Sequence, residues 1–339
     1  MELQIINPTK TISPFPFGDF TSPYVNGEQK QKQVRTPFIE SNTTDVNLQH
    51  IKNDCIIPVF AKDNERTIAH YEFIDEAINV AERIFGKHQV MKPEIRVSHT
   101  IKGRTPDAVY KDAKQLLEHE KTLYYERMAF AIEIEGHARY IDGQLLQLTI
   151  GGVRAYNQDN LYNKKSLESF KFFIGYKNLV CCNMCISSDG YVENLRVSSK
   201  SDLSERIESL INQYDAENHF QKMKDLENYE LTEHQFAQLL GKCRLHQYLP
   251  KDAKRQIPLL QFNDTQLNHV ARDYFQDESF SRNANGNIDL WKMYNLFTGT
   301  NKSSYIDLYL QRGLNAFELA SGVGHALREK SSSYRWFVD

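Results

Sequence analysis

The chain has 339 residues, of which 40% are hydrophobic and 25% are charged, and its formal net charge is −3. This composition is typical of a globular protein, and the small negative charge excludes a protein-wide positive field that would attract nucleic acid or an anionic membrane. A nucleic-acid site would have to be a local patch. No apolar run approaches the ~20 residues that span a bilayer.

The residue pattern divides the chain into three portions. Residues 1–37 are rich in Pro, Thr, Gln, Lys and Gly and predict a flexible tail, in which the segment from Phe15 to Phe20 is a candidate docking motif. Residues 38–200 are β-rich and residues 201–339 are helical. No low-complexity linker separates these two portions, so we expect an α+β protein in which they can share one core.

The β-rich portion predicts a mostly antiparallel sheet with packed helices. Apolar spacing predicts helices at residues 71–85 and 107–118. Short turns at Asp142-Gly143 and Asp189-Gly190 favour direct reversals between neighbouring strands. The strands are predicted at residues 56–60, 95–101, 123–134, 145–153, 170–176, 179–186 and 191–197.

The helical portion begins near residue 201. Thr232 with Gln235 forms a capping box, and Leu231 with Phe236 forms a hydrophobic staple, which together mark a helix start. The other helices are predicted at residues 202–214, 266–275, 290–297 and 305–328.

The amino terminus lacks a basic start followed by an apolar core, so we expect no signal peptide. Five cysteines in a long chain favour reduced thiols over a disulfide framework, which predicts a bacterial cytoplasmic location. Phosphate-loop, dinucleotide-fingerprint, serine-elbow and HExxH motifs are absent from the sequence. We therefore expect no cofactor.

The stretch NLVCCNMCISSDG at residues 178–190 raises the question of a metal site. Cys182 and Cys185 form C-x-x-C, and Cys243 with His246 forms C-x-x-H, which are zinc-ligand types. On a strand, however, Cys182 and Cys185 point to opposite faces because their separation is odd. We expect buried thiols and no metal, although convergence of the four residues stays open. Asn183, a polar amide in an apolar run, needs hydrogen-bond partners or a ligand.

Three alternating ionisable residues on the predicted strand at 123–134 and just beyond it are a second candidate set. Glu133, Glu135 and His137 would share one face of a strand and could bind a divalent metal or act as acid and base. A metal-dependent hydrolase or nuclease is therefore an alternative function. The solvated face of an ordinary strand is the simpler interpretation.

The most suggestive pattern interleaves basic and aromatic residues between positions 154 and 177. Five basic residues against two acidic ones give +3 inside a net-acidic protein. Such pairing is typical of single-strand binding, where cations follow the backbone and rings stack on bases. An ordinary sheet with buried rings and solvated lysines is the alternative. The candidate nucleic-acid contacts are Arg154, Tyr156, Tyr162, Lys164, Lys165, Lys171 and Lys177, with a second positive stretch at Arg96, Lys102 and Arg104.

Over roughly residues 38–320 the chain resembles a bacterial family known as domain of unknown function 3871. The resemblance is carried by several segments in order: IIPVF at 56–60, LEHEK at 117–121, YERMAF at 125–130, LTIGGV at 148–153, NLYNKK at 160–165, GYKN at 175–178, NGN at 285–287 and NKSSYID at 301–307.

More distantly, the chain is similar to the phage/plasmid-like family of unknown function 932. VCCN at 180–183, LRV at 195–197 and LWKMYNLFT at 290–298 carry this likeness, and the additional cysteine is a departure. The resemblance implies an accessory protein of a phage, plasmid or conjugative element and carries over no catalytic residue. We therefore expect a non-enzymatic single-strand nucleic-acid-binding protein with no membrane partner. An oligomeric scaffold or interaction protein, including a homo-oligomer, is a further alternative.

Overall fold

The computed structural model describes residues 36–57, 67–159 and 167–339. Its strands are β1 Thr44–Asp45, β2 Glu94–Arg104, β3 Lys121–Ile141, β4 Gln144–Ala155, β5 Glu168–Asn178, β6 Met184–Cys185, β7 Tyr191–Val197, β8 Glu230–Leu231 and β9 Ile288–Asp289. Its helices are α1 Leu48–Asn53, α2 His70–Phe85, α3 Lys200–Gln213, α4 Ala216–Asp225, α5 Glu233–Tyr248, α6 Lys251–Lys254, α7 Asp264–Gln276, α8 Leu290–Asn301 and α9 Ile306–Arg328.

A large antiparallel sheet confirms the predicted α+β class. Strands β1 to β5 lie side by side in chain order, and both β6 and β7 pair with β5. The predicted Asp142-Gly143 turn closes the β3–β4 hairpin, with both residues at positive φ. Strands β8 and β9 form a separate pair between helices. Among the described residues, no helix combines the length and apolar character that crossing a membrane requires.

The two faces of the sheet are covered by different parts of the chain. On one face, Phe73 of α2 packs edge-on against Phe130 of β3 and Phe170 of β5. On the other face, Ala129 and Phe173 pack in a second cluster formed with residues 38–39 and the start of α9. Alternate residues of a strand point to opposite faces of the sheet. Because other parts of the chain cover both faces, the side chains on both faces are buried.

One apolar cluster runs through both the β-rich and the helical portions. It contains Phe73 and Ile150 from the first, and Trp291 and Val323 from the second. The residues after position 200 therefore pack against the sheet.

The Gly151-Gly152 dipeptide in β4 is a point of close approach. A Cβ atom on Gly152 would lie 2.5 Å from Phe73 Cζ and 2.7 Å from the carbonyl oxygen of Lys171. Only glycine leaves room for the Phe73 ring of α2 to seat on the sheet at this point.

Gly152→Ala is expected to lower the free energy of unfolding by about 1–3 kcal/mol, because overpacking forces α2 or β5 to shift. Gly241→Ala is the matched control, since a Cβ on that α5 residue meets nothing within 4 Å. Alanine there should stabilise the helix by up to about 1 kcal/mol. Urea unfolding of both variants measures the difference, and equal effects would contradict the packing argument.

Two predicted elements are wrong. Residues 107–118 form short 3₁₀ turns instead of a helix, because only Ala108 of that stretch is buried and no apolar face holds a helix in place. Residues 179–183 form a loop instead of a strand, with Cys182 at φ 57° and the Asn178 side chain accepting from Val180 N at 2.9 Å. The predicted strand at 56–60 lies outside the described residues from position 58 onward.

Candidate nucleic-acid interface

Arg154, the first basic residue of the interleaved stretch, is fully buried on the α2 face of β4. Its Nη2 pairs with Glu168 and lies 3.2 Å from Asp159 Oδ2, and its Nη1 donates to the Ile68 carbonyl at 2.6 Å. The guanidinium also lies 4.1 Å from the centroid of the Phe170 ring. Two carboxylates neutralise Arg154 inside the protein, so in this conformation it presents no charge at the surface.

Tyr156 is buried next to this ion-pair network. Its ring stacks on His70 with 4.2 Å between centroids, and burial raises the pKa of Tyr156. Burial and then the Arg154 charge lower the pKa of His70 to about 3, so the imidazole is neutral. The Tyr156 ring packs in the interior and offers no stacking platform in this conformation.

Lys171 and Lys177 project from β5 to the α9 side of the sheet. Lys177 Nζ lies 2.7 Å from Glu94 Oε2 and 3.1 Å from Glu133 Oε1. Burial alone would lower the Lys177 pKa, but these carboxylates raise it. Lys171 Nζ donates to the Asp307 carbonyl at 2.6 Å, and burial lowers the Lys171 pKa. Lys177 is therefore buried in a charge network, and Lys171 is half-buried with its ammonium held by a backbone carbonyl, so neither presents a fully exposed charge.

The remaining predicted contacts fall into three groups, of which the third lies on the β2–β3 hairpin. Tyr162, Lys164 and Lys165 lie outside the described residues. Arg96 is partly buried and donates from Nη2 to the Thr43 carbonyl at 3.0 Å.

Lys102 and Arg104 lie on the arm, which we define as residues 99–126 at the end of the β2–β3 hairpin. Lys102 is exposed, and Arg104 donates to the Lys111 carbonyl. Tyr110, in the same loop, is 98% exposed. Five basic and five acidic residues on the arm give a net charge of zero, so its field is weak.

A more basic surface was missed by the sequence reasoning. Residues 242–255, which we call the α5–α6 surface, carry five basic residues and one acidic residue, for a net charge of +4. Arg244 pairs with Asp264 at 3.2 Å, and Arg255 pairs with Asp252 at 3.2 Å. Lys251 is exposed and has no carboxylate partner among the described residues. The basic residues are Lys242, Arg244, Lys251, Lys254 and Arg255.

Exposed apolar groups lie among these cations. Tyr248 is 76% exposed and donates its hydroxyl to Asp264 Oδ2 at 3.3 Å, and Leu245 is 60% exposed. Lys242 Nζ lies 4.9 Å from the centroid of the Trp336 ring. Cations beside an exposed ring are the arrangement that single-stranded nucleic acid requires.

The position of this surface follows from the sequence of α5. The predicted capping box at Thr232 and Gln235 is confirmed and begins the helix. Phe236, Leu239 and Cys243 turn inward, and the helical period then places Arg244 and Tyr248 outward. The sequence signal for this surface is five basic residues within 14 positions, and it has fewer interleaved aromatic residues than positions 154–177.

The described part of the chain holds no group of three or more His, Cys, Asp or Glu side chains that could bind a metal ion. Glu133 pairs with Lys177, and a bulge between Glu133 and Ala138, with Gly136 at φ 82°, interrupts the alternation that would place it beside Glu135 and His137. The three side chains therefore do not converge as a metal-binding group.

Two cysteines of the stretch at residues 178–190 pack in the protein interior. Cys182 and Cys185 are buried, and burial raises the pKa of Cys185 to about 12, which keeps its thiol protonated. Asn183 Nδ2 donates to the Asn295 carbonyl at 3.0 Å and so ties the loop before β6 to α8. Asn183 therefore braces the backbone of α8.

The family model described as "Domain of unknown function, B. Theta Gene description (DUF3871)" matches residues 21–338. No curated protein and no solved structure matches the chain.

Proposed function

The chain belongs to the DUF3871 family, whose description assigns no activity, and we propose that it binds single-stranded nucleic acid through the α5–α6 surface. The charge of +4 within 14 residues, of which Asp264 neutralises one through its pair with Arg244, carries the proposal, because it stands against a net charge of −3 for the whole chain. Phosphate neutralisation by clustered Lys and Arg supplies most non-specific affinity.

Tyr248 supports a single strand over a duplex as the ligand. Bases of a single strand are free to stack on an exposed ring, whereas those of a duplex are stacked on each other. Leu245, three residues before Tyr248 on α5, adds an exposed apolar side chain beside that ring. The surface thus combines contacts for the phosphates with contacts for the bases.

A role in a phage, plasmid or conjugative element is part of the same proposal. The distant likeness of residues 180–183 and 290–298 to the phage/plasmid-like family supports it. Such elements pass through single-stranded intermediates when they replicate or transfer, which gives a single-strand binder in the bacterial cytoplasm a substrate.

The arm is a second candidate surface for the same ligand. Tyr110 is almost fully exposed there, and Lys102 and Lys114 are exposed cations without a carboxylate partner among the described residues. Its zero net charge makes it the weaker of the two surfaces. Lys102→Ala combined with Tyr110→Ala tests it separately.

Tyr248→Ala is expected to weaken binding of an oligothymidine strand by about 1–3 kcal/mol, because one base loses its stacking partner. Tyr248→Phe keeps the ring, removes only the hydroxyl bond to Asp264, and should bind like the wild type. Fluorescence anisotropy at low salt measures both. Equal loss in the two variants would assign the effect to the hydroxyl bond and contradict base stacking.

Lys251→Ala with Arg255→Ala tests the charge contribution, and Lys87→Ala with Lys92→Ala is the matched control. The control removes two exposed cations in the segment between α2 and β2. We expect the α5–α6 pair to weaken binding several-fold more than the control pair. If the two pairs act equally, binding follows net charge alone and the proposed surface is wrong.

A further inference from the structure

A cysteine, a histidine and an aspartate converge beside α1, away from the α5–α6 surface. We propose that Cys55, His50 and Asp54 form a nucleophilic centre that takes an acyl group from an activated ester or thioester. This inference is independent of nucleic-acid binding.

The three side chains lie in the order expected of a nucleophile, its base and the group that orients the base. Cys55 Sγ lies 4.0 Å from His50 Nε2, and His50 Nδ1 lies 2.8 Å from Asp54 Oδ2. The His50 side chain is 31% exposed, so a reagent can reach it. Such a thiol–imidazole–carboxylate arrangement recurs on unrelated folds, so it is recognised by its geometry and by the role of each group.

The local fold explains how the three residues meet. Asn47 caps the start of α1 by accepting from His50 N at 2.7 Å. His50 and Asp54 are four residues apart, which places them on one side of the turn. Cys55 then bridges to Leu123 of β3, and Ile56 N donates to the Leu123 carbonyl at 3.0 Å. The sheet thus fixes the thiol while α1 and its last turn fix the base.

An open surface depression of about 570 Å³ lies on the His50 and Asp54 side of the centre, where Asp45, Asn47 and Asn53 also line it, and Cys55 lies behind His50 outside that lining. The hydroxyl of Tyr125 lies 3.0 Å from His50 Nε2. In the resting protein this hydroxyl donates to Nε2. Burial raises the Tyr125 pKa, so the phenol keeps its proton, and when Nε2 takes the thiol proton the hydroxyl turns to donate to a developing oxyanion.

The thiol needs a base at neutral pH. Burial and then the Asp54 charge raise the pKa of Cys55 to about 11, so the resting group is S–H. In the proposed step, Sγ attacks the carbonyl carbon while His50 Nε2 takes the thiol proton. The carbon–oxygen or carbon–sulfur bond of the leaving group breaks, and that group leaves with the proton from His50. Water, deprotonated by His50, then hydrolyses the thioester and regenerates the thiol.

The test uses the full chain with p-nitrophenyl acetate, followed by intact mass and peptide mapping. We expect acetyl on Cys55 before it appears on Cys181, the other half-exposed cysteine. His50→Gln should slow Cys55 acetylation by about 100-fold or more, the contribution of a positioned base. Added imidazole should restore part of the rate in that variant, which a merely structural role for His50 would not allow.

Asp54 acts through His50 as a positioning residue. Asp54→Ala should slow acetylation, and Asp54→Glu should retain most of the rate, because a carboxylate still reaches Nδ1. Absence of acetyl on Cys55 in the wild type together with no release of p-nitrophenol that depends on Cys55, or a His50→Gln rate equal to the wild type, would overturn the proposal. Cys55→Ala should leave oligothymidine binding unchanged, which separates this result from the nucleic-acid proposal.

Discussion

Arg154→Met is expected to lower the free energy of unfolding by about 3–5 kcal/mol, because it leaves two carboxylates buried without their cation. The side chains of Asp159 and Glu168 are only 3% and 11% exposed. Glu168 also accepts from Ile68 N at 3.1 Å and Asp159 accepts from Ser169 N at 3.0 Å, so both are held in place when the arginine is removed. Urea unfolding monitored by circular dichroism measures the change.

The control for Arg154 is a surface ion pair of the same chemistry. Arg83 Nη2 lies 2.7 Å from Glu208 Oε2, with side chains 52% and 43% exposed. Arg83→Ala should therefore cost less than about 1 kcal/mol. Adding Glu168→Gln to Arg154→Met should recover part of the stability, since the uncompensated charge is then removed. Equal effects at Arg154 and Arg83 would contradict the assignment of Arg154 to the interior.

Acidification from pH 6.5 to 4.5 is expected to destabilise the protein by about 2 kcal/mol for each of two buried histidines. Burial lowers the pKa values of His70 and His219 to about 3, below the 6.5 of an ordinary histidine. Their stability contribution is therefore complete above pH 6.5. It declines as the pH falls toward 3, because the unfolded chain binds protons that the folded chain does not.

His70→Gln and His219→Gln isolate this effect. Glutamine can still donate to the Tyr125 carbonyl, as His70 Nε2 does at 2.9 Å. Carboxylates such as Asp159 and Glu318, whose pKa burial raises, act in the opposite direction over part of the range. The difference between wild type and each variant removes that background. A stability–pH slope unchanged by either substitution would show that these histidines titrate normally in the fold.

Local pattern was enough to predict most of the fold. The apolar spacing of residues 71–85 gave α2, and the capping box at Thr232 gave the start of α5. These features depend on a few neighbouring residues, which the sequence shows directly.

The burial and pairing of the predicted site residues depend on long-range contacts, which no local sequence pattern contains. Nothing near Lys177 indicates that Glu94, 83 residues away, will neutralise it. Nothing near Lys171 indicates that the start of α9 will cover its side of the sheet. The basic-aromatic pattern therefore could not distinguish a binding surface from a buried charge network, whereas exposure and pairing in the fold do.

The salt dependence of oligothymidine binding tests the account most directly. Counterion release predicts that the logarithm of the association constant falls linearly with the logarithm of salt concentration, with a slope of about −0.7 for each phosphate contacted. We predict a clear negative slope for the wild type, reduced by about 1.4 in Lys251→Ala with Arg255→Ala and unchanged in Lys87→Ala with Lys92→Ala. No binding at low salt, or one slope for all three proteins, would contradict nucleic-acid recognition by the α5–α6 surface.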